Sequence, residues 1–387
     1  MSPKKYLADR AISVEESIRT RMLQIASQMD NIIALGRGDP DFDTPRMIVE
    51  GGVKALQDGY HHYTAPPGLP ELRRAVGEKL KEDKDLDYAP EQVIICNGCQ
   101  EALFITMLAL VNPGEEVLLQ APRFNAFDYM VNMAGGRVVT VPTREEDDFA
   151  LKADDIRRAV TDKTKLLVVA NPNNPTGALI ERDELRKIAE LAVERDLLVI
   201  SDDIYDRIIF DGGEHSSLAT FDGLYERTVT INGFSKAYAM TGWRVGYLAA
   251  PEWFMEPAIE IKHSISICTS PAMQAGALAA LRQGEKDLKE MVRRYQQRRD
   301  LIMSGLDRLG MTYGHPGGGM YVYANVSSTG LDAEQFCYDL LKQEQVMIFP
   351  GTLFADEGNQ HIRITLLSPQ DKIKEALVRM GRFIKSL

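Results

Sequence analysis

Residues 165–177 read KLLVVANPNNPTG, a run of apolar and β-branched residues that stops at a loop of asparagine, proline and glycine. A short apolar run bounded by turn residues is typical of a buried strand. Further strands are predicted on both sides, at VIIC (93–96), EVLL (116–119), RVVTV (137–141), LLVIS (197–201) and TVTI (228–231). Amphipathic segments separate these runs, which predicts an α/β fold with a mostly parallel sheet covered by helices.

The pattern changes after about residue 280. Apolar residues recur at helical spacing from Leu288 to Leu309 and Gly310 follows them, which predicts one long helix. A terminal helix is expected from Ile373 to Leu387. Because 387 residues exceed one ordinary hydrophobic core, we predict a large domain at 45–280 and a smaller α+β domain built from 1–44 and 281–387.

Composition excludes several classes of protein. The net charge of -11 argues against binding to nucleic acid or to an anionic membrane, since those partners require a basic face. The longest apolar run, 102–111, is shorter than the roughly 20 residues that span a bilayer, so we expect a buried helix there. The start of the chain has no apolar signal core, and the four cysteines lack metal-ligand spacing, so we expect a cytoplasmic protein without a metal. The arginines of one helix are expected on its solvated face: Arg293, Arg294, Arg298 and Arg299.

The segment NGFSKAYAMTGWRVGYLAA (232–250) carries the strongest chemical signal. Lys236 follows a small turn, and lysine is the residue that forms an imine with an aldehyde once its charge is disfavoured or offset. Ser235 and Arg244 suit a phosphate group, the arginine through charge-assisted hydrogen bonds. An ordinary surface lysine is the alternative, but the apolar neighbours of Lys236 argue against it.

Three further segments place polar residues after predicted strands. NPNNPTG (171–177) follows one strand, at the edge where α/β sheets bind ligands. In SDDIY (201–205), an unpaired carboxylate near a core is costly, so Asp202 and Tyr205 could hold a cationic heteroaromatic ring. A helix N-cap is the other job open to these aspartates, and it suits Asp203. The turn in CNGCQE points helix N–H groups at whatever lies above it, a geometry that binds phosphate.

Six segments in chain order resemble the class I/II aminotransferases, which are fold-type-I enzymes dependent on pyridoxal 5'-phosphate (PLP). They are LGRGDPDFDTP (35–45), YHHYTAPPGLPELRRAV (60–76), NPNNPTG (171–177), SDDIY (201–205), SKAYAMTGWRVGY (235–247) and HIRITLL (361–367). The likeness covers nearly the whole chain. It implies a fold-type-I transferase that moves the α-amino group of an L-amino acid to a 2-oxo acid, with 2-oxoglutarate the expected acceptor. The implied mechanism is ping-pong, with the cofactor alternating between PLP and pyridoxamine phosphate.

The resemblance also implies roles at the cofactor's reactive end. Lys236 would form the internal imine and carry the proton between the substrate's α-carbon and the cofactor. Asp202 would keep the pyridine nitrogen protonated. Tyr205 and Asn174 would hydrogen-bond the phenolic oxygen, and Phe124 would stack on the ring.

The phosphate and the substrate have implied partners as well. The backbone of Gly98, Cys99 and Gln100 would bind the phosphate together with Ser235 and Arg244. Tyr63 would reach that phosphate from a neighbouring subunit, which implies a homodimer. Arg363 would bind the substrate α-carboxylate in a two-pronged hydrogen bond, with the Gly38 backbone nearby.

The sequence departs from the family pattern at the phosphate site. Gly233 stands where many relatives have a phosphate-binding serine, Cys99 and Gln100 replace a small or basic pair, and Arg123 replaces a common tyrosine. No basic residue occurs between Cys99 and Val111, where some aspartate-specific relatives carry a lysine. Arg37 or Arg123 could read a substrate side chain instead. Aspartate, aromatic, alanine-like and other neutral donors therefore all stay open.

Other functions share parts of this pattern. A PLP-dependent β-eliminating lyase or a cyclase begins with the same removal of an α-proton, so the lyase is the main alternative. A PLP-binding transcription regulator would need an attached DNA-binding module, and this acidic chain has no room for one. A nucleotide-binding dehydrogenase would need a GxGxxG motif after a first strand, which the sequence lacks.

Overall fold

The computed structural model describes residues 6, 8, 18–355 and 357–387, which form both helices and strands. The helices are α1 (Ile18–Ala26), α2 (Arg46–Gln57), α3 (Pro70–Lys84), α4 (Cys99–Leu110), α5 (Ala126–Met133), α6 (Ala153–Ala159), α7 (Arg182–Glu194), α8 (Glu252–Ser266), α9 (Pro271–Gln283), α10 (Glu285–Leu309), α11 (Ala333–Glu344) and α12 (Gln370–Ser386). The strands are β1 (Ile33–Ala34), β2 (Val93–Cys96), β3 (Glu116–Ala121), β4 (Arg137–Pro142), β5 (Thr164–Ala170), β6 (Leu198–Asp202), β7 (Thr228–Gly233), β8 (Gly246–Ala249), β9 (Tyr321–Asn325), β10 (Val346–Met347), β11 (Phe349–Pro350) and β12 (His361–Thr365).

A seven-stranded sheet in the order β2-β8-β7-β6-β5-β3-β4 forms the centre of the fold. The six strands predicted between residues 93 and 233 are all present, each within two residues of its predicted ends. The predicted mostly parallel sheet is confirmed, since β8 alone runs against its neighbours β2 and β7. The apolar runs did not predict β8 (Gly246–Ala249), which lies within the NGFSKAYAMTGWRVGYLAA segment.

The sheet gathers the predicted site residues at one edge. Since β2 and β7 both run antiparallel to β8, they point the same way as β3, β5 and β6. Ala170 pairs with Asp202, and Asp202 pairs with Ile231, so these strands end at similar heights. The loops that follow carry the NPNNPTG, SDDIY and SKAYAM segments. They meet at the carboxyl edge, where α/β sheets bind ligands.

A second, antiparallel sheet of β11, β12 and β9 brings in the C-terminal part of the chain. Arg363 on β12 lies opposite Tyr323 on β9. The long helix and the terminal helix predicted from periodicity are confirmed as α10 and α12, and α10 ends at Gly310, whose φ is 70°. The domain division at 45–280 stays a prediction. Part of the N-terminal segment assigned to the smaller domain, at 1–5, 7 and 9–17, lies outside the described residues.

The predicted solvated face of α10 is wrong for two of its four arginines. Arg293 and Arg294 are exposed and bind Glu290 on the same helix. Arg298 and Arg299 are 6% and 3% exposed. Arg298 forms a two-pronged ion pair with Asp41, through Nη1 at 2.6 Å and Nη2 at 2.8 Å, and Arg299 binds Asp211 through Nη2 at 2.7 Å. Both guanidinium groups are thus buried because a carboxylate offsets the cost of removing each charge from water.

The sequence predicted no membrane-spanning helix and a reducing, cytoplasmic location. No helix in the described ranges has both the length and the apolar character needed to cross a membrane. The cysteines at positions 96, 99, 268 and 337 are free thiols. The cytoplasmic location stays a prediction from the sequence.

Candidate active site

Lys236 lies in the turn after β7, where its side chain is half-buried. Its Nζ donates a hydrogen bond of 2.6 Å to the backbone carbonyl of Gly38. Ser235, the residue before it, is buried. The lysine of one predicted segment and the glycine of another, 198 positions apart in the chain, therefore meet at the carboxyl edge of the sheet.

Asp202 ends β6 with a buried carboxylate, which accepts a hydrogen bond of 3.3 Å from the Ile204 N–H. Burial raises the pKa of Asp202 to about 7; the Ile204 N–H opposes this rise, and the nearby carboxylates of Asp203 and Asp206 add to it. Within the described ranges, Asp202 forms no ion pair with a basic side chain. A cationic group of a ligand would therefore favour the charged form of this carboxylate.

The neighbouring Asp203 does not cap a helix, so the predicted N-cap is wrong for this residue. No helix begins there. Its carboxylate instead accepts hydrogen bonds from Ser201 at 2.7 Å and from Lys84 at 2.8 Å. Lys84 also lies 2.7 Å from Asp206, which in turn binds the Asn232 amide at 2.8 Å. No sequence pattern indicated Lys84, because it lies on α3, 119 positions from Asp203.

The turn between β2 and α4 forms a cup beside Arg244. Gly98 caps α4 with a φ of 80°, and an added Cβ would lie 2.5 Å from Nη2 of Arg244. That guanidinium donates to the carbonyls of Thr241 at 2.8 Å and Asn97 at 3.4 Å. The first N–H groups of a helix, here those of Cys99 and Gln100, have no acceptor within the helix. A cation beside free N–H groups suits a phosphate.

A buried ion pair between Glu101 and Lys262 supports the turn that forms this cup. Glu101, in the first turn of α4, accepts hydrogen bonds from the backbone and side-chain nitrogens of Asn97 at 2.6 and 3.1 Å. Its carboxylate also lies 2.8 Å from Nζ of Lys262, which is fully buried on α8. The pair fixes the turn that precedes Gly98. Neither residue was singled out from the sequence.

Arg363 is a buried cation on β12, 6% exposed. Its Nη1 donates to Oδ1 of Asn174 at 3.0 Å, and its Nη2 donates to the Gly36 carbonyl at 2.6 Å. Its Nε has no hydrogen-bond partner, and no carboxylate of the described residues pairs with it. Burial lowers the pKa of this guanidinium. A carboxylate ligand would supply the missing counter-charge.

Tyr205 contacts a residue that the sequence analysis did not select. Its hydroxyl lies 2.9 Å from the hydroxyl of Tyr321, and both side chains are buried. Tyr321 begins β9, and the Arg363 guanidinium lies 4.5 Å from the centre of its ring. Tyr321 lies outside the six motif segments, so no sequence signal pointed to it.

Four predicted residues are less closely tied to this centre. Tyr63 is 79% exposed in the single chain. Phe124 is half-buried and packs edge-on against Phe127, with ring centroids 6.1 Å apart. Arg123 is held by Asp128 through hydrogen bonds of 2.8 and 2.6 Å, so it is not free to read a substrate. Arg37 is exposed between the two site glycines at positions 36 and 38.

These residues fit PLP. The cup at Gly98 and Arg244 suits its phosphate, the unpaired Asp202 suits its ring nitrogen, and the amine of Lys236 suits its aldehyde. No group of three or more metal-ligating side chains occurs among the residues with described positions.

The comparisons with known proteins identify the family. The family model described as "Aminotransferase class I and II" matches residues 30–380, so the chain belongs to the class I and II aminotransferases. It is an amino-acid aminotransferase that depends on PLP. It is 38% identical to an aspartate aminotransferase of Pyrococcus abyssi and 38% identical to aromatic-amino-acid aminotransferase 2 of Thermococcus litoralis, in each case over 98% of both chains. The aromatic aminotransferase structure from Pyrococcus horikoshii matches with a TM-score of 0.90 and 38% identity, covering 94% of this chain and 99% of that one.

The resemblance deduced from six sequence segments is thereby confirmed, as are the fold class and the cofactor. These relatives are all named aminotransferases, and none supports the lyase alternative.

Proposed function

We propose that the protein moves the α-amino group of an L-amino acid to a 2-oxo acid, with 2-oxoglutarate as the acceptor, in two half-reactions at one site. This proposal rests on the environment of Arg363. Its guanidinium is buried, its Nε has no hydrogen-bond partner, and no carboxylate in the described part of the chain pairs with it. An amino acid and a 2-oxo acid share the α-carboxylate. One planar guanidinium can therefore hold both substrates in turn at the same place.

Bound PLP supplies the electron sink for the chemistry at the substrate's α-carbon. Lys236 binds the cofactor and then holds or moves the proton at that carbon. Its hydrogen-bond partner in the structure is a neutral carbonyl, that of Gly38, and no carboxylate of the described residues forms an ion pair with it. Asp202 keeps a proton on the ring nitrogen, and its burial without a cationic partner supports this role.

The remaining predicted residues orient the two ligands. The N–H groups of Cys99 and Gln100 with Gly98, together with Ser235 and Arg244, hold the phosphate. Asn174 and Tyr205 bind the phenolic oxygen, and Phe124 covers the ring. The Gly38 backbone borders the place of the substrate carboxylate beside Arg363.

A homodimer completes the site in this proposal. The outer face of α2 exposes Val49, Val53 and Leu56 at helical spacing, and Tyr60 and Tyr63 continue this apolar surface along the loop. Contiguous exposed apolar residues mark protein interfaces. We infer that this face packs on a second copy of the chain and that Tyr63 reaches the partner's phosphate cup. Light scattering on the wild type and on Val53→Glu tests this, because the charge should split a dimer, whereas Val378→Glu on α12 should leave it intact.

The donor is the open part of the proposal. The relatives are named for aspartate and for aromatic amino acids. Arg123 is occupied by Asp128, so Arg37 is the remaining candidate to bind a substrate's side-chain carboxylate. Aromatic, alanine-like and other neutral donors need no such cation.

The absorption spectrum of the PLP-loaded protein tests the proposal. Single L-amino acids are added without an acceptor, and 2-oxoglutarate follows. We expect the band of the bound cofactor to bleach with the true donor and to return with 2-oxoglutarate. Lys236→Ala should abolish this cycle, whereas the exposed Lys342→Ala should keep it. Bleaching that releases ammonia and pyruvate from a β-substituted amino acid would support a lyase instead, and a protein that binds no PLP would contradict the assigned roles.

A further inference from the structure

Tyr321 lies between Tyr205 and Arg363, which have different roles in the proposed reaction. On one side its hydroxyl lies 2.9 Å from the hydroxyl of Tyr205, and the two rings meet edge-on at 82°. On the other side its ring face lies 4.5 Å from the Arg363 guanidinium. Tyr321 is thus in contact with both the residue proposed to bind the cofactor and the residue proposed to bind the substrate.

We propose that Tyr321 is a positioning residue, which directs the proton of Tyr205 towards the cofactor's phenolic oxygen and couples that hydrogen bond to the binding of a carboxylate at Arg363. This inference rests on the roles proposed above for Tyr205 and Arg363. It adds a residue that neither of those roles includes.

Proton counting fixes the direction of the hydrogen bond. Each phenol has one proton, so a Tyr205 hydroxyl that donates to a ligand can only accept from Tyr321. Both groups must then stay protonated. Burial raises the pKa of Tyr205 well above its ordinary value, and the charge and hydrogen bond of Tyr321 add to this rise, with Arg363 opposing it and Asp202 a smaller contributor. Tyr205 therefore remains a donor at neutral pH.

Arg363 acts on the same hydrogen bond through the ring of Tyr321. A cation over an aromatic face withdraws electron density from the ring, which makes the attached hydroxyl a stronger donor. A substrate carboxylate bound to Arg363 offsets that charge and weakens the donation. Hydrogen bonds in a chain strengthen one another, so Tyr205 responds to what Arg363 binds.

The loop that carries Gly38 passes against the same hydroxyl. An added Cβ on Gly38 would lie 3.1 Å from the Tyr321 Oη, and the Gly38 carbonyl accepts the hydrogen bond of Lys236. A larger residue at position 38 would therefore press on Tyr321. The Tyr321 hydroxyl is thus confined between the Tyr205 hydroxyl and the Gly38 backbone.

Tyr321→Phe tests the proposal, because it removes the hydroxyl and keeps the ring over Arg363. The readout is the pH midpoint of the absorption change of the bound cofactor. A weaker hydrogen bond from Tyr205 leaves more negative charge on the phenolic oxygen, which favours the proton on the nitrogen that joins Lys236 to the cofactor. We expect the midpoint to rise by about half a pH unit, roughly a threefold change in the proton-binding constant.

The substrate parameters separate the two contacts of Tyr321. Because the phenylalanine ring still faces the guanidinium, KM for the amino acid should change less than about twofold in Tyr321→Phe. Tyr321→Leu removes the ring as well, and KM should then rise about tenfold. Incorporation of 3-fluorotyrosine at position 321 gives a stronger donor and should move the midpoint in the opposite direction, to lower pH.

A second background shows whether Tyr321 acts through Tyr205. In Tyr205→Phe, adding Tyr321→Phe should leave the midpoint where the single change put it. Tyr313→Phe, which alters a surface tyrosine bound to Asp307, is the matched control and should move nothing. An equal shift in both backgrounds, or none in either, overturns the proposal. A wild type whose bound cofactor shows no pH-dependent band would instead contradict the proposed function.

Discussion

The sulfur atom of Cys99 lies 2.9 Å from the point where a Cβ atom on Gly233 would stand. The resemblance seen in the sequence implies a serine in many relatives at the position of Gly233 and a small or basic pair at those of Cys99 and Gln100. The structure relates positions 99 and 233, because the Cys99 side chain occupies the space that a side chain at 233 would need. The two positions are therefore sterically coupled.

Gly233→Ser should be destabilising on its own, by about 1–3 kcal/mol, because the new side chain overlaps with the Cys99 sulfur. Adding Cys99→Ala should recover part of this loss. The recovery should be incomplete, since the Cα of Gly246 also lies 3.0 Å from the new Cβ position. Urea unfolding and PLP affinity of the two single variants, the double variant and the wild type form the cycle. Strictly additive effects would show that the two positions are independent.

The sequence predicted the parts of the fold that local pattern determines. The apolar runs between residues 93 and 233 became strands, and their carboxyl ends delivered Asn174, Asp202 and Lys236 to one edge. The prediction failed where the partner is distant in the chain. Tyr205 and Tyr321 are 116 positions apart, and the pattern around each contains no trace of the other.

Most of the other residues whose role the sequence did not predict are buried and charged. Arg298, Arg299, Lys84 and Lys262 lie on helices, where a charged residue is expected to face water. Each is buried because an acidic side chain from another element pairs with it. Periodicity reports which residues are apolar, whereas the pairing of buried charges depends on tertiary structure.

Asp202→Asn should change how the stability of the cofactor-free protein depends on pH. Burial raises the pKa of Asp202 from 3.8 to about 7, so the folded state holds a proton that the unfolded state has lost. The contribution of Asp202 to the free energy of unfolding therefore falls as pH rises from 3.8 towards 7, by about 1.4 kcal/mol per pH unit, and is constant above 7. The variant lacks this loss, so it should gain on the wild type between pH 5 and 7.

Urea unfolding at pH 5, 6, 7 and 8 measures that gain. Asp222→Asn, at an exposed position, is the matched control and should show no such trend. Saturating PLP should reduce the gain, because a protonated ring nitrogen beside Asp202 favours its charged form. A difference between variant and wild type that is flat from pH 5 to 8 would refute the titration assigned to this carboxylate.

Lys84→Met should destabilise the fold by about 3–5 kcal/mol, because it leaves the buried carboxylates of Asp203 and Asp206 without their cation. Burial alone would raise the pKa of Asp203, but the charge of Lys84 holds it well below its usual value. In the variant, burial without the charge of Lys84 favours protonation of Asp203, so the deficit in unfolding free energy should shrink as pH falls towards 4. Lys81→Met on the same helix alters an exposed pair with Asp85 and should have little effect. Chemical denaturation across this pH range is the measurement, and equal losses in both variants would contradict the assigned burial.

Arg363 and Arg298 are both buried arginines, but their replacement by methionine should lower stability by very different amounts. Arg298 pairs with Asp41 in two hydrogen bonds, so Arg298→Met leaves a carboxylate without a partner and should cost about 3–5 kcal/mol of unfolding free energy. Among the residues with described positions, Arg363 donates hydrogen bonds only to the neutral oxygens of Asn174 and Gly36, so Arg363→Met removes an uncompensated charge and should cost less than about 1 kcal/mol without substrate. The same variant should lower kcat/KM for the donor by at least about thirtyfold, since a charge-assisted carboxylate contact is worth roughly 2 kcal/mol or more.

Denaturation of the cofactor-free proteins combined with steady-state kinetics separates the two effects. A large stability loss in Arg363→Met would mean that this arginine stabilises the fold. Lost turnover at unchanged stability is expected if the arginine binds the substrate carboxylate.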